Sequence, residues 1–145
     1  MKNSFKANRK LIAALVEKSS RVVFSNGYTL FRQGEEPTGV YVVYGGSASL
    51  AMKSESGAVL LSLEVPAGSL LGLPGMVANE CYTFSACALP GSDIRFVNRK
   101  DFEGLIQSEP NLNPMVLEVL AAEVRSARNA LSGLLRKLNA REALG

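Results

Sequence analysis

Between Arg21 and Val97 short β-branched or aromatic runs alternate with glycine and proline breaks, and this rhythm restricts the chain more than any other feature. The runs are Arg21-Val22-Val23-Phe24, Thr29-Leu30-Phe31, Val40-Tyr41-Val42-Val43-Tyr44, Ser47 to Met52, Val59 to Leu63, Thr83 to Ala88 and Asp93 to Val97. The breaks fall at Asn26-Gly27, Gly34, Gly45-Gly46, Ser56-Gly57, Pro66-Ala67-Gly68 and Pro90-Gly91. Strands with a turn signal every 8–12 residues or so form an antiparallel sandwich or roll. Helical patterns flank them. From Arg9 to Ser19, Leu11, Ile12, Leu15 and Val16 share one face. Glu17 and Lys18 close that stretch and no small-residue cleavage site follows, so it reads as an amphipathic helix and not a signal peptide. After Val97, Asn98 to Phe102 lead into a short helix from Phe102 to about Gln107, and Pro110 and Pro114 bracket a turn.

The last segment carries a second pattern. Leu117, Leu120, Val124, Ala127, Leu131, Leu134 and Leu138 recur at gaps of three and four. That spacing is the a/d seam of a coiled coil over about three heptads. Met115, Val116, Val119 and Ala122 lie off the seam and are available to the roll. A helix of about 25 residues is also longer than a small roll can cover. Each buried Leu or Val yields about 1.5–3 kcal/mol, and two such seams outweigh an association cost of roughly 4–15 kcal/mol. A parallel homodimer through these residues is expected, with Gly133 a weak point of about 1 kcal/mol. The chain is expected to divide into a β-roll domain with its N-terminal helix, residues 1–113, and a dimerisation helix, residues 114–145.

Composition removes several function classes. There is no histidine, hence no commonest general base, metal ligand or haem ligand. Glu35, Glu36, Glu64 and Glu80 are scattered without a partner at catalytic spacing, so no enzyme activity and no metal are expected. The net charge of +3 is spread among interleaved acids and bases. Direct nucleic-acid binding needs a dense basic stripe and is not expected. No apolar run approaches the roughly 20 residues of a membrane span. Cys81 and Cys87 are too few for an ordinary iron–sulfur cluster and are expected to be reduced, in a cytoplasmic protein. Glu35-Glu36-Pro37-Thr38 should be a solvated loop, Arg95 and Lys100 surface charges, and one of Tyr41 and Tyr44 part of the core.

The order of helix, glycine-punctuated strands, short helix and seam helix comes with specific residues. They are Gly27 to Phe31, Gly34-Glu35, Gly39 to Val43 with Gly46, Gly68-Ser69-Leu70-Leu71-Gly72 and Phe102 to Ile106. This set, over about residues 9–140, resembles the effector domain of the Crp/Fnr regulators and other cyclic-nucleotide-binding domains. The resemblance implies a mainly β fold with flanking helices, a cupin-like jelly roll, followed by a long dimerisation helix.

It also implies a phosphate cassette. In that family a Gly-Glu pair opens a short helix, the glutamate takes the ribose hydroxyl, and an arginine before a Ser/Thr-Ala pair neutralises the cyclic phosphate. Free amides at a helix N-terminus and a guanidinium fork are the usual phosphate-binding elements. Here Gly72 matches the cassette glycine and Ser85-Ala86 match the Ser/Thr-Ala pair. The glutamate position is Leu73, the arginine position is Phe84 or Thr83, and the helix pair that touches the base falls on Ala127 and Arg128. Each lost charge-assisted bond costs about 1.5–3 kcal/mol, so ordinary cAMP or cGMP binding, and any other cofactor, is not expected. Leu73, Met76, Phe84 and Cys87 make the remaining pocket more apolar, either for a less charged small-molecule effector or filled by its own side chains. Arg128 is a candidate replacement for the missing arginine.

The function expected is a sensor module that signals through its dimer helix. The alternatives are an interaction or scaffold module with a vestigial pocket, and the effector half of a transcription regulator. Relatives that bind DNA continue into a helix-turn-helix, and this chain stops at Gly145, so no direct DNA contact by that route is expected.

Overall fold

The computed structural model describes residues 5–24 and 27–144, without the side chains of residues 134, 137, 138 and 141–144. Asn26 of the first expected turn and the side chains of Leu134 and Leu138 in the expected seam therefore lie outside the described residues. Helix α1 (Arg9–Glu17) opens the fold. The strands are β1 (Ser20–Arg21), β2 (Thr29–Phe31), β3 (Gly39–Gly45), β4 (Ser47–Lys53), β5 (Val59–Pro66) and β6 (Leu70–Leu71), then β7 (Ser85–Ala88) and β8 (Asp93–Asn98) after the short helix α2 (Leu73–Val77). Helix α3 (Arg99–Ser108), a 3-10 turn (Pro110–Leu112) and helix α4 (Asn113–Leu144) complete the chain.

The strands make two antiparallel sheets, ordered β1-β8-β3-β6 and β2-β7-β4-β5. This is the β-rich roll with a long C-terminal helix that the sequence pattern implies. Register follows the period of two. In β4, Ala48, Leu50 and Met52 point inward while Ser47, Ser49 and Ala51 are half-exposed. Leu50 stands opposite Leu63 on one side and Ala86 on the other. The β3–β4 hairpin turns at Gly46, whose φ is +77°. A Cβ there would collide with the Ser92 hydroxyl, which donates to the Ser47 carbonyl at 2.9 Å.

Two apolar clusters result. One lies between the sheets and includes Phe31, Val43, Leu50, Leu71, Phe84 and Ile94. The other joins the outer face of β3 and β8 to the helices through Leu11, Leu15, Val40, Val97, Phe102 and Val119. Strand β3 is thus buried on both faces and reads as a continuous apolar run.

Several local expectations are corrected. The run from Arg21 to Phe24 leaves the sheet after β1, because Val23 faces solvent and Phe24 packs on Tyr28 across the turn at 5.3 Å. Helix α3 starts at Arg99 and not Phe102, since the Asn98 side chain caps it by accepting from the Asp101 N–H at 2.8 Å. Arg95 is not a free surface charge. It forks onto Asp93 at 2.8 and 3.0 Å and lies 4.8 Å above the Tyr44 ring. Tyr41 is half-buried and Tyr44 exposed.

Helix α4 is 32 residues long, about 48 Å. Val116 and Val119 are buried in the helix-facing cluster. Leu120 and Ala127, expected in the intermolecular seam, also pack on the chain's own two clusters. The apolar residues left uncovered are Leu117, Val124, Leu131 and Leu135, which are 42% to 60% exposed. Leu50 lies at the centre of the between-sheet cluster, 1% exposed. Leu50→Ala is therefore expected to lower stability by about 2–5 kcal/mol in urea unfolding, through lost burial and the cavity it leaves.

Candidate functional site

The cassette begins where β6 runs into α2. Gly72 adopts φ +93° at this junction. A Cβ on Gly72 would lie 3.0 Å from the Tyr82 ring and 3.3 Å from the Gly39 carbonyl. Only glycine combines that left-handed conformation with so close an approach. Pro74 sits in the first turn of α2, where its missing N–H removes no bond. Leu73, Pro74, Gly75 and Met76 are all buried. Gly75 abuts Pro37, which is why the Glu35 to Thr38 loop is not wholly solvated as expected: Pro37 is buried against the cassette.

Tyr82 fastens the loop that follows α2. Its hydroxyl donates to the Gly39 carbonyl at 3.0 Å and accepts the Thr38 N–H at 3.3 Å. Its backbone pairs with Gly34 and Glu35 at 2.8 and 3.0 Å. Its ring stacks on Phe31 at 4.0 Å. Phe84 continues the aromatic set, 5.9 Å from Phe31 and edge-on to Phe5 at 5.5 Å. Phe84 is 2% exposed and Phe5 is 1% exposed. Phe84, one of the two positions to which the resemblance assigns the arginine, therefore lies in an apolar interior shared by four aromatic rings, while Thr83, the other, is half-buried.

The other residues singled out from the sequence separate into four groups. Leu73 and Met76 belong to the helix-facing cluster, while Phe84 and Ala86 belong to the between-sheet cluster. Thr83 is half-buried at the mouth, and the Ser85 hydroxyl accepts the Gln33 N–H at 2.9 Å. Arg128 is exposed on α4 and does not line the mouth.

The open space lies outside the aromatic cluster. A cavity of about 730 Å³ is bounded by the β4–β5 hairpin, Tyr82 and Thr83, and Ala127 and Leu131 of α4. Gln33 and Lys53 edge it. The Gln33 amide bonds the Lys53 backbone in both directions, at 2.8 and 2.9 Å, as a strand neighbour would. Among the described lining residues Lys53 is the one cation and Glu55 the one anion. Cys81 is exposed at the rim. Gln33, Lys53 and Tyr82 carry no local sequence signal for this role, because each reaches the cavity from a different segment.

Two groups here have displaced ionisation. Burial, reinforced by Tyr82 and Glu35, pushes the Tyr41 phenol up to about 12. Glu123 on α4 is 1% exposed, and burial pushes its carboxyl up to about 8. The Gly72 amide acts on it favourably, yet neither oxygen has a hydrogen-bonding partner among the described residues. Glu123 was missed in the sequence, although it stands one turn beyond Val119 on the face of α4 that meets the roll.

The family model for the cyclic nucleotide-binding domain matches residues 21–109. The chain is similar to the CRP-like cAMP-activated global transcriptional regulator of Mycobacterium tuberculosis, 24% identical over 124 residues, 86% of this chain and 55% of that protein. It thus spans about half the length of that regulator. In structure it is similar to the catabolite activator protein of Thermus thermophilus, with a TM-score of 0.62, 22% identity, and coverage of 94% of this chain and 59% of the other. It is also similar to the c-di-GMP responsive global regulator CLP of Xanthomonas campestris, with a TM-score of 0.68, 16% identity, and coverage of 91% and 65%. At these identities the structural likeness bears on the fold.

The two hydrogen bonds of the Tyr82 hydroxyl close the cassette over Gly39. Tyr82→Phe keeps the ring stack but leaves the buried Gly39 carbonyl without that donor. Its expected cost is about 1–3 kcal/mol in urea unfolding.

Proposed function

The chain belongs to the cyclic nucleotide-binding domain family, and we propose that it serves as a regulatory module that does not take cAMP in the family's usual way. What carries this is that Phe84 and Thr83, the two positions to which the resemblance assigns the phosphate-binding arginine, hold no cation, and that Phe84 is buried among aromatic rings. A cyclic phosphate put there would lose its water and gain no cation, a burial costing several kcal/mol. Leu73 removes the ribose acceptor in the same way. The cavity beside α4 instead suits a small, largely uncharged effector, with the Gln33 and Lys53 edge for polar contacts.

Signal passage is proposed to run through α4, which forms one wall of the cavity at Ala127 and Leu131. Its uncovered stripe of Leu117, Val124, Leu131 and Leu135 is proposed to pair with a second copy in a parallel homodimer. The roles of α4 are then divided by face: Leu120 and Ala127 hold the roll, the exposed stripe is proposed to hold the partner, and Leu131 stands at the border, exposed yet also lining the cavity. No helix among the described residues is long and apolar enough to cross a membrane. A cytoplasmic setting accords with two free cysteines, one of them exposed.

A second reading, an interaction module with a vestigial pocket, draws on the same aromatic filling. Thermal-shift screening against small metabolites separates the two, since only the first expects a stabilising compound.

Calorimetry with cAMP and cGMP is expected to show no saturable heat up to about 1 mM ligand, the range of a negligible −4 kcal/mol affinity. Micromolar, stoichiometric uptake would overturn the proposal. Sedimentation equilibrium is expected to give a dimer. Leu131→Glu should weaken it by at least about a hundredfold, equivalent to some 3 kcal/mol of lost burial, with the far-ultraviolet circular dichroism of the roll unchanged.

A further inference from the structure

Glu123 lies on the face of α4 that packs on the cassette, and α4 meets α2, the 3-10 turn and β5. It is 1% exposed, and both carboxyl oxygens lack a hydrogen-bond partner among the described residues. A buried carboxylate in that state is strongly disfavoured, whereas the protonated acid is tolerated.

Among the described residues the surroundings offer no compensating charge. Helix α2 and the 3-10 turn contain no ionisable side chain, and Glu64 of β5 is exposed. In the cassette loop Glu80 and Cys81 are exposed, and the Tyr82 hydroxyl is committed to Gly39 and Thr38. Arg99 approaches α2 but donates to the carbonyls of Pro37 and Gly75 at 3.3 and 3.4 Å, with Glu103 at 4.0 Å. On α4 itself Glu118, Arg125 and Arg128 are exposed, as are Arg9, Lys10 and Glu17 of α1.

We propose that Glu123 makes the docking of α4 on the cassette proton-dependent, the neutral acid lying buried beside Gly72 and the ionised form driving this part of α4 away from α2. The proton passes to solvent as the carboxylate is released to water. This rests on the reading of α4 as the output element, but not on which effector the cavity takes.

The direction follows from linkage. The carboxyl is raised from 4.5 to about 8 when docked, so the docked state holds a proton that the undocked state has released. Docking is fully favoured below 4.5, weakens as pH rises, and levels off above about 8. Within that window each pH unit changes the docked-to-undocked ratio by up to about tenfold.

Nuclear magnetic resonance of the full chain tests this, following the Glu123 carboxyl carbon and the Gly72 amide from pH 4 to 9. Both signals are expected to titrate together with a midpoint well above 6. Hydrogen exchange in α2 and α4, corrected for the intrinsic pH dependence of exchange, should lose protection as pH rises. That loss should vanish in Glu123→Gln, which keeps the shape without the titration, and in Glu123→Leu, which carries the test if the amide variant does not fold. A midpoint near 4.5, or the same loss of protection in a folded variant, would overturn the proposal. Saturable cAMP binding would overturn the earlier reading of the pocket while leaving the Glu123 titration to stand or fall separately.

Discussion

The packing of Phe5, Phe31, Tyr82 and Phe84 between the two sheets sets the terms for the rest of the molecule. Rings 4.0 to 5.9 Å apart pack in this interior, at the density that protein cores reach. Tyr82 links this cluster to the cassette, since its ring approaches Gly72 and its hydroxyl closes on Gly39. The cassette is therefore held from within by side chains of the chain itself. Open volume lies outside this cluster, in part in the groove where the β4–β5 hairpin faces α4.

Helix α4 consequently works on two faces. One face carries Val116, Val119, Leu120, Glu123 and Ala127 against the roll and the cassette. The other exposes Leu117, Val124 and Leu135, with Leu131 at the border, exposed and also lining the cavity. A helix shared between a roll and a proposed partner can transmit a small displacement from one to the other, provided the two arrangements differ in free energy when a ligand or proton binds. Glu123, buried and without a hydrogen-bond partner among the described residues, is proposed to supply such a difference at the inner face, and the exposed stripe the means of reading it at the outer one.

Much of the roll was legible in the chain. The period of two in β4, the break at Gly46 and the run from Gly39 to Gly45 are local, and each appears where the pattern places it. The substitutions proposed at the family's phosphate and ribose positions, Leu73 and either Phe84 or Thr83, come from the order of residues against the resemblance alone. Boundaries were less legible. Asn98 is a capping residue by chemistry, yet the helix was expected to begin at Phe102, since its apolar spacing starts only there. In α4 the heptad seam was visible, but spacing alone does not say which members the roll covers.

The alternation of short apolar runs with glycine breaks and the terminal helical period by themselves determined a β-roll with a long helix. Those properties depend on residues close together in the chain. Tertiary structure alone decided that Phe5 would pack edge-on to Phe84, that Pro37 would lie under Gly75, and that Glu123 would be sealed beside Gly72. Burial and its electrostatic cost are set by what other segments place over a side chain, and no local period encodes that.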